Sequence, residues 1–373
     1  MKTVYLDAAA STPLLPQVKD KLLSVLPIFA NPSSLHEEGA KANNIIQEAR
    51  EAISHELNCY PQELYFTSGA TMSNNQAIQG FLKKHLYSPI IISSLEHDDI
   101  HLMLEDYPVD LKYVLPCEHK TGRLDFNSLI DTLDKVNNTS LPVLVSIQWA
   151  NNETGVIQNM RQIGDIVNSY PYVYLHTDAT QYIAHNPISL HDIGIDMLSC
   201  SAQKIGGLKG TGLLYVRENV ELSPIIYGDQ GLIGGTENVP GIACIGEAIK
   251  QLDYSNVHSI AIKRDYLYEH IKNLGELVGS LSNRLPNNLC MIFKGIRGEE
   301  LQNLLSELGV YVSTGSACSS HIDEPSKTLT AMGYSIEEAN ASIRFTLEKE
   351  TTYEDLDYAI KCINQCVSIL KNK

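Results

Sequence analysis

No run of 18 apolar residues occurs anywhere in this sequence, so it offers no candidate membrane-spanning helix. Positive charge is scarce. Lys and Arg number 28 against 44 Asp plus Glu, a formal net charge of −16, and the cations form no cluster. A nucleic-acid surface needs clustered cations to neutralise phosphates, so no direct nucleic-acid partner is expected. No signal peptide is expected, because Asp7 breaks the short apolar stretch of MKTVYLDAAASTP (1–13), and the expected location is the cytoplasm. Low-complexity tracts, internal repeats and Pro/Gly-rich linkers are absent, which points to parts that pack tightly against one another. The eight cysteines are scattered through 373 residues, a length that needs no disulfide staples, so reduced thiols are expected. Cys318 and His321 have no second pair at ligand spacing beside them, and no metal is expected.

What is present is 43% hydrophobic and 19% charged, enough for one large core and a smaller second one. Between residues 62 and 216, short β-branched or aromatic runs alternate with helical patterns: ELYFT (63–67), PIIIS (89–93), LPVLVSI (141–147), YVYLH (172–176), IDMLS (195–199) and GLLYV (212–216). That alternation predicts an α/β fold with a mostly parallel sheet covered by helices on both faces. Ala40, Ile45, Ile46, Ala49, Ala52, Ile53 and Leu57 recur at helical spacing and predict a packing helix over 38–57. After Gly241 the texture changes to longer helical patterns over 241–280, shorter strands near 289–294 and 310–313, and a helix over 353–371, with a boundary near residue 245.

Open α/β sheets bind ligands beyond the carboxyl ends of their strands. Three such places are rich in small and polar residues. FTSGATMSNN (66–75) puts Gly69-Ala70-Thr71 between a strand and a helix, which suits a phosphate but also an ordinary helix cap. LHTDATQ (175–181) leaves Asp178 at a strand end, and LSCSAQKIGGLKGTG (198–212) leaves Lys204 just past the next strand. A strand-end Asp can hold a ring nitrogen protonated and a partly buried Lys can bond an aldehyde covalently, while each alone reads more often as a surface charge.

Order and spacing join these signals. The phosphate-type loop is followed by EHDD with His97, NNETG (151–155), DATQ, SAQK, GGTENV (234–239), STGSACSS (313–320) and then SIRF (342–345). Over essentially the whole chain this layout resembles the cysteine desulfurases of the NifS/IscS type, in the class V aminotransferase group of fold type I pyridoxal 5′-phosphate (PLP) enzymes. The resemblance implies a large PLP-binding domain over 14–245 with a seven-stranded, mostly parallel sheet flanked by helices. A smaller α+β domain, from 1–13 and 246–373, carries the catalytic cysteine loop.

By the same resemblance, Lys204 bonds the cofactor, Asp178 pairs with its ring nitrogen, Gln181 contacts its phenolic oxygen and His97 stacks on the ring as an acid–base group. Ala70, Thr71, Ser201 and Gln203 hold the phosphate, with Thr236 reaching in from the neighbouring subunit of a homodimer. Asn152 and Arg344 face the amino acid, Asn152 touching the ring as well; a planar guanidinium suits a carboxylate, although an ordinary ion pair would also use an Arg. Cys318 lies in a run of small residues that cannot pack a core, and it takes the sulfur of L-cysteine as a persulfide for a protein acceptor, in iron–sulfur cluster assembly or tRNA thiolation. Gln203, Met72, Ala8 and Ile233 depart from the family pattern around the phosphate and entry. A selenocysteine lyase or cysteine-sulfinate desulfinase on the same scaffold, or a degenerate non-catalytic partner protein, stays open as an alternative.

Overall fold

The computed structural model describes residues 2–137, 141–228, 231–315 and 325–372. After a short β1 (Val4–Tyr5), seven strands follow: β2 (Leu64–Thr67), β3 (Ile90–Ser93), β4 (Lys112–Leu115), β5 (Val143–Ser146), β6 (Val173–Asp178), β7 (Met197–Ser201) and β8 (Gly212–Val216). They form one sheet in the order β2-β8-β7-β6-β5-β3-β4. All point the same way except β8, which is antiparallel to both β2 and β7. Strands such as β3 and β5 are buried at every position, the signature of a sheet covered on both faces.

Each of the six runs read as a strand coincides with one, although β6 and β7 each extend two residues beyond the run. β4 escaped that reading because it is an edge strand with only Leu115 fully buried, so its pattern is weak. The helix expected over 38–57 is Glu37–Leu57, started by the His36 side chain accepting from Gly39 N–H and ended by left-handed Asn58. It packs on the helix Val239–Lys250, where Gly246 lets the backbones approach; a Cβ there would lie 2.7 Å from Ala49 Cβ.

The second unit is a sheet in the order β12-β13-β10-β9, all antiparallel, from β9 (Glu276–Leu277), β10 (Asn288–Ile292), β12 (Ser313–Thr314) and β13 (Ser342–Thr346). Beside it β11 (Val310–Tyr311) pairs in parallel with β1. Leu289, Phe293, Ile343 and Phe345 pack here with Leu267 of the helix Val257–Ile271 and Ile363 of the helix Tyr353–Lys371. Val4 and Leu6 belong to this core, whereas Ile245 and Ile249 still belong to the core of the large sheet. The expected architecture, an α/β unit on a mostly parallel seven-stranded sheet with a smaller α+β unit, is the one observed. Among the described residues no helix is long and apolar enough to cross a membrane.

Candidate active site

The carboxyl ends of β2, β3, β5, β6 and β7 lie along one edge of the large sheet, and the chain places its polar small-residue loops there. Asp178 is the last residue of β6 and is 4% exposed. The chain turns immediately after it. Thr180 N–H donates to Asp178 Oδ1 at 2.9 Å, and Asn74 Nδ2, from the helix Ala70–Lys84, donates to Oδ2 at 3.0 Å. Both oxygens are therefore held in fixed directions in a site with little water.

Between β2 and that helix, Gly69 adopts φ +148°, a conformation that favours glycine. Opposite it, Gly212 at the start of β8 comes so close that a Cβ would lie 2.6 Å from Gly69 C. Gly69 itself faces nearly open space at the start of the helix, which opens with Ala70 and Thr71, carries no acidic residue in its first turn and has first-turn N–H groups without partners inside the helix. Ser201, the last residue of β7, puts its Oγ 3.9 Å from where a Gly69 side chain would begin. Ala70, Thr71 and Ser201 are thus brought together.

After β7 a 3₁₀ turn, Ala202–Lys204, redirects the chain. The Gln203 carbonyl accepts from both Thr12 N–H and Thr12 Oγ1 at 3.0 Å, pinning the N-terminal segment over the sheet edge. Lys204 Nζ donates to Ala9 O at 2.6 Å and Ala10 O at 2.7 Å, and Gln181 Nε2 donates to the same Ala9 O at 2.9 Å. Lys204 and Gln181 therefore converge on one backbone oxygen.

His97 precedes the helix Asp98–Met103, and its Nδ1 lies 3.0 Å from Asp99 Oδ1. Burial favours the neutral form of Asp99, but His97, Asn74 and Thr71 stabilise its charge and hold the carboxyl below its usual range. Glu96 is buried and its acidity is suppressed, chiefly by desolvation; Oε1 accepts from Gln148 N–H at 2.7 Å while Oε2 has no hydrogen-bond partner among the described residues. Asn152 is buried, with Oδ1 3.4 Å from Gln148 Nε2.

Arg344 is 1% exposed, so it is not a surface residue. Its Nη1 donates to Asn152 O at 3.1 Å and its Nη2 pairs with Asp7 Oδ1 at 2.8 Å, while Nε is buried without a partner among the described residues. Ser313 of β12 stands opposite Arg344 in register. The next turn, 151–155, also carries Glu153, whose Oε2 accepts from Ser326 Oγ and would lie 3.1 Å from a Cβ on Gly315. Burial pushes the Glu153 carboxyl up to about 7 against the pull of Ser326, Thr328 and Arg344. Thr236 is exposed, on the stretch leading into the helix Val239–Lys250. Cys318 lies outside the described residues.

Sequence reasoning missed Asn74, Asp99, Glu96, Glu153 and Asp7. The sequence placed Asp99 two residues after His97, but nothing in it said that Asn74, 25 residues earlier, bonds the same carboxylate. The residues present suit PLP: a buried carboxylate aimed from a strand end for the ring nitrogen, an amine on the adjoining turn, and a glycine turn at a helix start for the phosphate.

Comparison with known proteins agrees with this geometry. The class V aminotransferase model matches residues 4–359. Cysteine desulfurase IscS of Dictyoglomus turgidum is 38% identical over 99% of this chain and 96% of the relative. Among solved structures, a NifS-like protein is 32% identical with a TM-score of 0.89, covering 99% of this chain and all of the other. SspA in complex with cysteine is 33% identical with a TM-score of 0.80, covering 94% of this chain and all of the other. The family model spans nearly the whole chain, as do the full-length relatives, and the chain belongs to the class V aminotransferase family, with the IscS and NifS-like proteins.

Proposed function

We infer that the protein is a PLP-dependent cysteine desulfurase that converts L-cysteine to L-alanine and carries the sulfur as a persulfide on Cys318. One observation supports this reading above the others. The described flanks of the Cys318 segment, Gly315 and Ser326, both abut Glu153, next to Asn152 and the Arg344 guanidinium. The chain thus enters and leaves that segment beside the residues assigned to the substrate carboxylate.

When bound, PLP withdraws electrons from the substrate Cα and so makes its proton and its carbon–sulfur bond labile. Lys204 supplies the amine that bonds the cofactor, and Asp178, fixed by Asn74 and Thr180, keeps the ring nitrogen protonated. Ala70, Thr71, Ser201 and Gln203 hold the phosphate. Gln181 faces the phenolic oxygen. Arg344 and Asn152 orient the substrate carboxylate, and His97 moves the proton at its imidazole nitrogen. The Cys318 thiolate attacks the substrate sulfur: a sulfur–sulfur bond forms, the carbon–sulfur bond breaks, and the carbon takes a proton to give alanine.

We further propose a homodimer in which Thr236 of one subunit completes the phosphate site of the other. Exposed Ile226 and Tyr227 in the same stretch give such an interface apolar surface. Residues 14–245 would form the cofactor domain and 1–13 with 246–373 the small domain. The reaction would take place in the cytoplasm, with an iron–sulfur scaffold or a tRNA-thiolating enzyme as acceptor.

The test is alanine release from L-cysteine with dithiothreitol present, together with the mass of the chain after cysteine alone. We expect one added sulfur on the peptide bearing Cys318 and a loss of about 100-fold or more in turnover for Cys318→Ala. Full sulfide production by that variant would overturn the persulfide reading.

A further inference from the structure

His97 Nδ1 meets one residue in two ways. It lies 3.0 Å from Asp99 Oδ1 and 3.3 Å from Asp99 N. The carboxylate is the partner for a protonated Nδ1, and the backbone N–H is the partner for an unprotonated one. Asp99 can therefore hold the ring at the same place in both states, with only a small change of contact.

The carboxylate is itself held from behind. Asn74 Nδ2 donates to Asp99 Oδ2 at 3.2 Å and to Asp178 Oδ2 at 3.0 Å, so one neutral amide spans the acid beside His97 and the acid at the strand end. Asn74 is fully buried. A bridging amide satisfies two carboxylates that would otherwise repel each other in a site of low polarity.

Resting on the acid–base reading of His97, we propose that Asp99 is a positioning residue for this reaction: it fixes the His97 ring through its whole protonation cycle, assigns proton exchange with the substrate side to Nε2, and is itself tied to Asp178 through Asn74. Of the other charged or titratable groups, Glu96 and His176 act on Asp99, Asp178 shares Asn74 with it, and the adjoining Asp98 faces His101 and Lys327. Of these, His176 is fully buried between Ser146 and Ser199, and its ring is held neutral, lowered to about 3 by burial. Lys327 pairs with Asp98 at 3.9 Å, which places its charge on the neighbour and not on Asp99.

The experiment is a nitrogen-15 NMR titration of histidine-labelled holoenzyme, which reads charge and tautomer at His97 apart from turnover, set beside the pH profile of alanine release. Asp99→Asn keeps an acceptor at the same place and removes the charge that favours imidazolium. Its His97 midpoint should fall by about one pH unit, and the acid limb of the rate profile should move by the same amount. Asp99→Ala should also mix the two tautomers, and Asn74→Ala should move the midpoint and shift the pH dependence of the bound cofactor's absorbance together. An unmoved His97 midpoint in both Asp99 variants overturns the pairing. A midpoint that moves while the rate profile stays put overturns the role in proton transfer. Wild-type turnover in His97→Ala instead overturns the acid–base reading of His97 itself, and the NMR midpoint tells that failure from the first.

Discussion

Arg344 Nη2 and Asp7 Oδ1 lie 2.8 Å apart, an ion pair between the second sheet and the segment that follows β1. The guanidinium is almost wholly buried and also holds the Asn152 carbonyl, so one side chain ties the N-terminal segment and the 151–155 turn to β13. Arg344→Lys keeps the charge but cannot span both partners, because an ammonium lacks the planar fork. We expect it to raise KM for cysteine by about 10-fold or more and to lower stability by roughly 2 kcal/mol, since it leaves buried acceptors unpaired. Steady-state kinetics and thermal melts of the variant check both numbers.

Lys204 Nζ is held by two backbone oxygens of the N-terminal segment, Ala9 and Ala10. Removing it should release the covalent hold on PLP and leave only the phosphate and ring contacts. In Lys204→Ala, bound cofactor should exchange on gel filtration without denaturant, and alanine release should fall by about 1,000-fold or more.

The Glu153 carboxyl is raised to about 7 by burial, from 4.5. Between these values the folded protein keeps a proton that the unfolded chain has lost. Its contribution to stability is therefore full below the lower value and is lost as pH rises through the higher one. Glu348 is also raised to about 7 by burial and acts in the same direction. Melting temperature should fall from pH 5 to 7.5, and Glu153→Gln should remove part of that fall, roughly 3 °C, leaving the part due to Glu348 and to buried Glu96, whose acidity is also suppressed. An equal slope in the two proteins would contradict the burial argument.

Gly212 has no room for a side chain, since a Cβ would sit 2.6 Å from backbone atoms of Gly69. Gly212→Ala must push the β2 end and the helix start apart. PLP affinity should weaken about 10-fold or more while the rest of the fold persists, and titration of cofactor absorbance against PLP concentration measures it.

The apolar strands were legible in the sequence because burial on both faces demands continuous runs of Ile, Val and Leu, as in β3 and β5. The long helices were legible for the same reason at a different period: Ile46, Ala49, Ile53 and Leu57 are buried as the spacing predicts, although Ala40, at the first turn, is exposed. β13 was not called a strand because SIRFT carries Ser, Arg and Thr, yet all five residues are buried. Its polar side chains bond to groups outside the strand: Asp7 for Arg344, the preceding turn's Ala339 for Ser342 and Ala9 for Thr346.

The sequence by itself determined the order of chemical parts, from the glycine turn before Ala70 to Asp178 and Lys204, because local strand–turn–helix grammar puts each at a strand end. Which groups face one another was decided only by the tertiary structure. Asn74 and Asp178 are separated by 104 residues, and Arg344 and Asp7 by 337. Hydrogen bonds of a few ångströms depend on the packing of whole sheets, and no local pattern of residues encodes that distance. The Asp99 carboxylate beside His97 shows the same division: the sequence placed the two acids next to the histidine, and the fold selected the one that reaches its ring.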